Sequence, residues 1–271
     1  MLTLQEKDVE VSYGQISLDS LPPALFYLFV GLYLKGVYPL TLNYFLMNTD
    51  QTIKSRKTAK VLAHEPWTPS ITKEEQEQLT QELLQLAAHA PYHYKSTERY
   101  KDLERGLTSS LPFRCYTLTS DDCRAAAHYI EEEAIPAGKV QNMLWASDIM
   151  MVMTWLPDVF GEQGDVHNLA AEQLPFTGTI RNMEHIAAAS AATQNVLLGA
   201  TARGLPNYWS SGGMLRQKEL RDFLKIPLNE LMLGCLFVFP KDSDVRAADV
   251  KSGKLRDQGK EIELWSSPVR L

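Results

Sequence analysis

Residues 179–204, TIRNMEHIAAASAATQNVLLGATARG, decide how the chain is read. Ala, the best helix former, recurs through the stretch, and Gly204 stands where a helix of this length is closed by a left-handed residue. The run of Ala and Ser lets another backbone come close, so the spacing predicts a long, deeply packed helix. Downstream, LPNYWSSGG (205–213) reads as a loop and MLRQKELRDFLK (214–225) as a charged helix stopped by Pro227. ELMLGCLFVFP (230–240) is a near-continuous apolar run, the pattern of a strand covered on both faces. The tail, VKSGKLRDQGKEIELW, is polar and carries Lys251, Lys254 and Arg256.

Upstream the same alternation continues. SITKEEQEQLTQELLQLAAHAP (70–91) offers Ser70 as an N-cap, an apolar stripe of Leu79, Leu83, Leu84 and Leu86 or Ala87, and Pro91 as a stop. FRCYTL (113–118) reads as a strand, SDDCRAAAHYIEEEA (120–134) as a capped helix, and DIMMVMTW (148–155) as a short apolar strand closed by Pro157. Helices alternating with strands predict an α/β or α+β fold. There is no internal repeat.

The chain has 271 residues, 45% of them hydrophobic, enough to bury the core of one generous domain or two small ones. Its formal charge of −6 argues against a protein that coats nucleic acid, which needs many uncompensated cations to meet phosphates. Cys115, Cys123 and Cys235 form no Cys-x-x-Cys pair and no Cys/His spacing suited to zinc. They read as small buried hydrophobes in a reducing cytoplasm, and no metal is expected.

Residues 1–46 differ from the rest. Their longest uncharged apolar run, from Ala24 to Leu34, is eleven residues, short of the roughly 20 that span a bilayer, and Lys35, Gly36 and Pro39 interrupt the stretch beyond it. Three readings stand: an arm packed on a partner subunit, a membrane-surface element over residues 21–46, or a start set too early, with Met47 opening the folded domain of residues 47–271.

IKSRKTAKVLAHE (53–65) gathers Arg56, Lys57 and Lys60 beside Ser55 and Thr58, where a polar start gives way to an amphipathic helix. A solvated cationic helix face is the ordinary fate of such a run. In an acidic chain it also suits a small anion: a phosphomonoester asks for a forked guanidinium and a hydroxyl donor, which Arg56 and Thr58 supply.

Taken in order, these pieces resemble the nitroreductase family of FMN-dependent oxidoreductases over roughly residues 47–265. RKTAK (56–60) has the form of the family's Arg-rich opening. LAAHAPYHYKS (86–96) is similar to its Ala-Pro-Ser helix end with a following His-Lys-Ser run, although Thr97, Glu98, Arg99 and Tyr100 replace the usual Gln-Pro-Trp. ARGLPNYWSSGG (202–213) is similar to its glycine-rich loop after the interface helix, and Lys254 and Arg256 match its C-terminal Lys-x-Arg.

The resemblance implies an α+β fold: a central, mostly antiparallel sheet flanked by helices, in a homodimer joined through the long helix 179–204. It implies FMN held by Arg56, Lys57, Thr58, Lys60, His93, Lys95, Ser96, Ser211, Gly212, Lys254 and Arg256, with Lys60 near the pyrimidine edge and backbone N–H groups at Ser211 and Gly212 facing the ring. Tyr92, Tyr94, Tyr208 and Trp209 become candidate walls for a small aromatic acceptor. The implied reaction is a ping-pong hydride transfer from NAD(P)H through FMN to a nitroaromatic, quinone or enone. A Gly-x-Gly-x-x-Gly turn after a strand is missing, so no separate Rossmann site for the nicotinamide is expected. A specialised relative (dehalogenation, flavin cleavage or substrate oxidation) and a catalytically idle flavin- or partner-binding protein are the alternatives.

Overall fold

The short helix α1 (Thr49–Ser55) opens on a reciprocal capping box: the Asn48 side chain accepts from the Gln51 N–H at 2.9 Å, and the Gln51 side chain accepts from the Asn48 N–H. The protein is described by a computed structural model covering residues 48–159, 176–246, 248–253 and 259–269. The chain divides into two units, Met1–Phe45 and Leu46–Leu271, and the described residues all belong to the second. The expectations for residues 1–46, and those for Lys254 and Arg256, lie outside the described residues.

After α1 come strand β1 (Ala59–Ala63), helix α2 (Lys73–Ala88), strand β2 (Phe113–Thr119), helices α3 (Ser120–Glu132) and α4 (Val140–Ala146), and strand β3 (Ile149–Trp155). Helix α5 (Ile180–Ala202), strand β4 (Asn207–Ser210), helix α6 (Lys218–Phe223) and strands β5 (Leu231–Val238) and β6 (Ala248–Ser252) complete the order. An antiparallel sheet of order β2-β3-β5-β4 is accompanied by the antiparallel pair β1-β6. This is the α+β arrangement expected, with antiparallel sheets flanked by helices.

The four-stranded sheet is packed on both faces, which is why β3 and β5 read as continuous apolar runs. On one face Met150, Val152, Cys235 and Phe237 meet α3 and α4 through Cys123, Ala126, Ile130 and Leu144. On the other, Met151, Met153 and Leu236 meet Ala188, Ala192 and Val196 of α5, with Leu83 and Ala87 of α2. Because α5 presents small residues to the sheet, its backbone lies close to it. Among the described residues no helix is long and apolar enough to cross a membrane.

Five local expectations change. Helix α2 is capped by Thr72, which exchanges bonds with Glu75; Ser70 instead gives both its N–H (3.2 Å) and its hydroxyl (2.5 Å) to the buried carboxylate of Asp148. A charged group taken out of water outcompetes a helix end for donors. The expected helix 214–225 is two pieces, a 3-10 turn at Gly213–Arg216 and α6, parted at the extended Gln217. An unbroken α-helix would set Leu215 and Leu220 about 140° apart, whereas the break lets both reach the core. Residues 59–63, expected in an amphipathic helix, form β1. Within the expected loop 205–213 and the polar tail, β4 and β6 are strands.

Candidate functional site

The basic cluster straddles the join between α1 and β1. The Arg56 N–H closes α1 onto Thr52 O, and from there the chain is extended. Alternation then divides the cluster. Lys60 directs its Nζ over the Tyr208 ring, 4.5 Å from the centroid. Lys57 lines a separate cavity of about 310 Å³ with Ser55, Thr201, Asn207, Lys241 and Asp244.

Pairing with β6 brings the far end of the chain to the same place. Ala59 stands opposite Ser252 and Lys60 opposite Lys251, and a Cβ on Gly253 would lie 3.1 Å from Thr58 Cβ and 3.2 Å from its Oγ1. Lys251 of the late basic cluster is therefore a neighbour of Lys60 of the early one. Lys254 comes directly after Gly253 in sequence.

Strand β4 carries Tyr208, the neighbour of Lys60, and leads into the glycine turn. Tyr208 and Trp209 alternate: Tyr208 stacks near Phe237 at 6.4 Å and faces Lys60, while Trp209 lies on the reverse face across Gly234. A Cβ on Gly234 would fall 2.4 Å from both Ser210 O and Trp209 Nε1, so only glycine admits this crossing. The Gly212 N–H donates to Ser210 Oγ at 3.2 Å, and Gly212 itself sits at φ +100° against Met232 and Arg216. Ser211 and Gly213 are exposed on either side of it. Arg216 was not singled out by the sequence, nor was Gly234. The only sequence signal for Arg216 was its nearness to the double glycine.

The remaining candidates lie elsewhere. Tyr92, His93, Tyr94 and Lys95 are exposed in the loop after α2, and the Ser96 N–H donates to Ser110 O at 2.9 Å. Tyr94 lies under the Arg181 guanidinium, 5.1 Å from its ring centroid, at the N-terminal end of α5. The segment in place of Gln-Pro-Trp is a 3-10 turn, Glu98–Tyr100, pinned to the chain after β3. Tyr100 donates its hydroxyl to Pro157 O at 2.7 Å, and Arg99 binds Pro157 O and Asp158 O. Burial pushes the Tyr100 phenol up to about 12, so it stays a donor.

The basic cluster lies near the C-terminal end of α5, where Lys57 shares a cavity with Thr201 and Gly204, whereas Gly212 lies against Met232, farther along β5 from the Asn207–Val238 pair. Arg181 and Arg203 are 22 positions apart, about 33 Å along the axis at 1.5 Å per residue. Within one chain, then, Lys60 and Tyr208 come together, and the 92–96 loop lies toward the other end of α5.

A larger cavity of about 620 Å³ runs along the outer edge of β2, between Leu84, Phe113 and Tyr116 on one side and Arg105 and Leu224 on the other. None of the candidate residues lines it. Behind it Glu230 is buried, accepting from Tyr116 Oη (2.9 Å) and Thr154 Oγ1 (2.5 Å); burial holds its carboxyl above its ordinary value.

Residues 53–239 match the family model described as "Nitroreductase family". No curated protein matches the chain. Among solved structures, a nitroreductase-like family protein from Bacillus cereus is 19% identical, with a TM-score of 0.49 over 80% of this chain and 94% of that one. A structure from Desulfovibrio desulfuricans, described as a nitroreductase in complex with FMN, is 16% identical, with a TM-score of 0.47 over 83% and 99%. One from Bacteroides fragilis, described as a nitroreductase with bound FMN, is 15% identical, with a TM-score of 0.43 over 72% and 89%. The family match spans most of the domain that carries the basic cluster, the long helix and the turn after it, and the chain belongs to the nitroreductase family.

Proposed function

We propose that this protein is an FMN-dependent oxidoreductase that takes hydride from NAD(P)H and delivers it to an electron-poor acceptor such as a nitroaromatic, quinone or enone, and that it works as a homodimer. The observation that carries this reading is the β1–β6 pairing, which sets Lys251 across from Lys60, beside Thr58 and next to Tyr208. The donor set suits the cofactor. A phosphomonoester carries nearly two negative charges and three acceptor oxygens, and cations with a hydroxyl are the groups that neutralise it.

Bound FMN supplies the hydride chemistry; the chain's residues bind, orient and polarise. In this reading Arg56, Lys57, Thr58, Lys254 and Arg256 hold the phosphate, Lys60 offers positive charge to the pyrimidine edge, and the amides of the Ser211–Gly212 turn donate to the ring. Tyr208 is the wall that Lys60 steadies. Trp209 faces away from it in the same chain, so any part Trp209 has in a pocket belongs to another surface of the assembly.

The dimer answers the separation of the two halves. Lys60 and the 92–96 loop lie toward opposite ends of α5, and a two-fold pairing of α5 with its copy, antiparallel, brings one chain's His93, Lys95 and Ser96 to the partner's cationic end. The outward face of α5 suits such a contact: Ile180 and Met183 are exposed apolar residues, and Ala187 and Gln194 continue the stripe. Tyr92 and Tyr94 then wall the acceptor slot.

The pinned turn at residues 98–100 favours a second reading within the same chemistry, a specialised acceptor pocket shaped by Arg99 and Tyr100 rather than by Gln-Pro-Trp. The test is a visible spectrum of the purified protein, recorded again anaerobically after NADPH and then after menadione. A flavin band that bleaches and returns is expected. Bleaching without return on a panel of quinones, nitroaromatics and enones favours the specialised pocket. A colourless protein that refuses added FMN overturns the enzyme reading.

A further inference from the structure

We propose that Arg216 is a positioning residue for the flavin: it holds the Ser211–Gly212 turn in its left-handed form and directs an unneutralised positive charge toward the cofactor edge that the turn meets, favouring the reduced state. This rests on the FMN reading.

Arg216 ties the turn to the neighbouring strand through three backbone carbonyls. Its Nε donates to Ser211 O at 2.5 Å, Nη1 to Met232 O at 2.6 Å and Nη2 to Leu233 O at 3.0 Å. Its aliphatic stem packs beneath Gly212, whose Cβ position would be 3.2 Å from Arg216 Cγ and 2.9 Å from Met232 Sδ. The turn is thus clamped from below while Ser211 and Gly213 remain exposed above.

The charge on this clamp has no carboxylate counterpart among the described residues. Among the described residues Arg203 pairs with Glu82 at 2.9 Å and Arg246 with Asp242 at 3.0 Å, while the buried carboxylates Glu230 and Asp148 face Arg114, Arg221 and Arg124. Arg216 forms no ion pair with any described residue. The titratable group that favours its charge is the Cys235 thiol, which burial pushes up to about 12 and which is therefore neutral. Carbonyl oxygens satisfy the N–H groups of a guanidinium without cancelling its unit charge, and a half-buried charge is poorly screened. An electron-rich ring edge against the turn is stabilised by that charge more than an electron-poor one.

The test compares Arg216→Met and Arg216→Lys in the full chain, reading FMN dissociation constants and the midpoint potential of the bound flavin. Arg216→Met is expected to lose about tenfold in the preference for reduced over oxidised flavin, a fall of about 30 mV for a two-electron couple. Arg216→Lys, which keeps the charge but not the three-way fork, is expected to hold the potential within threefold of that preference while binding both forms more weakly. A folded Arg216→Met with the wild-type potential overturns the proposal. If the Met variant does not fold, Arg216→Lys decides, because a tenfold loss of preference with the charge retained overturns it as well. A wild-type protein that takes up no FMN overturns the functional reading itself, an outcome separate from an unchanged potential.

Discussion

Lys251 stands directly opposite Lys60 in the β1–β6 ladder, while Lys60 Nζ lies 4.5 Å over the Tyr208 ring. Like charges facing each other across two strands cost about 0.2–1 kcal/mol unless something neutralises them. Asp249, 3.8 Å from Lys251 on an exposed surface, offsets only part of this. Lys251→Gln is therefore expected to raise the melting temperature of the flavin-free protein slightly while weakening FMN binding several-fold. Thermal shift with and without FMN reads both signs, and a variant that weakens neither or both in parallel is inconsistent with a bound cofactor that meets both lysines.

Arg56→Ala is expected to purify pale. A hydrogen bond to a charged partner is worth about 1.5–3 kcal/mol, so losing the guanidinium fork should weaken FMN by roughly 10- to 100-fold. Arg56 ends α1, and its N–H bond to Thr52 O is main chain and survives the change. Fluorescence titration of the flavin-free variant is the check; a fully yellow variant with unchanged affinity would remove Arg56 from the phosphate site.

Two glycines should fail for different reasons. Gly212→Ala forces a side chain onto φ +100° and onto Met232 Sδ, an expected loss of about 1–3 kcal/mol centred on the flavin turn. Gly234→Ala meets backbone, Ser210 O at 2.4 Å, so β4 must move; overpacking of this kind costs about 1–3 kcal/mol or more. Urea midpoints rank the two, with Gly234→Ala expected to be the less stable and to change Trp209 fluorescence.

The buried carboxyl of Glu230 sets a pH dependence. Burial raises it above its ordinary value against the opposing bonds from Thr154 and Tyr116, so over the window between the ordinary and the raised value the folded state holds a proton that the unfolded state has released. Stability must then fall as pH rises through that window. Asp148, raised by burial despite its bonds from Ser70, acts in the same direction. Glu230→Gln is expected to flatten part of the slope, seen as unfolding free energies from urea titrations between mildly acidic and neutral pH; an unchanged slope would mean that Glu230 does not titrate there.

Much of this was legible in the residues. The helix over residues 179–204 is observed as Ile180–Ala202, with Thr179 accepting from the Asn182 N–H at 3.1 Å and Gly204 at φ +71°, because a long run of good helix formers with both ends marked needs little from its surroundings. The strand at 113–118 was likewise visible, as were the apolar strands at 148–155 and 230–240, since only a two-sided core tolerates such runs. The candidate site was legible as residue types but not as a gathering. Nothing local to SSGG announces that an arginine will hold the turn from beneath, nor that Trp209 will turn its back on Tyr208.

Local sequence was enough for the elements whose stability is local: capped helices, apolar strands, and a cationic cluster in an acidic chain. Long-range packing settled what residues 59–63 and 248–252 would be. AKVLA read as part of a helix and ADVKS as a tail, yet each became a strand because the other lay beside it. Strand preference is a matter of what a pleated surface packs against, and here the partner comes from the other end of the chain. The same non-local pairing set Lys251 opposite Lys60, which no spacing along the sequence could specify.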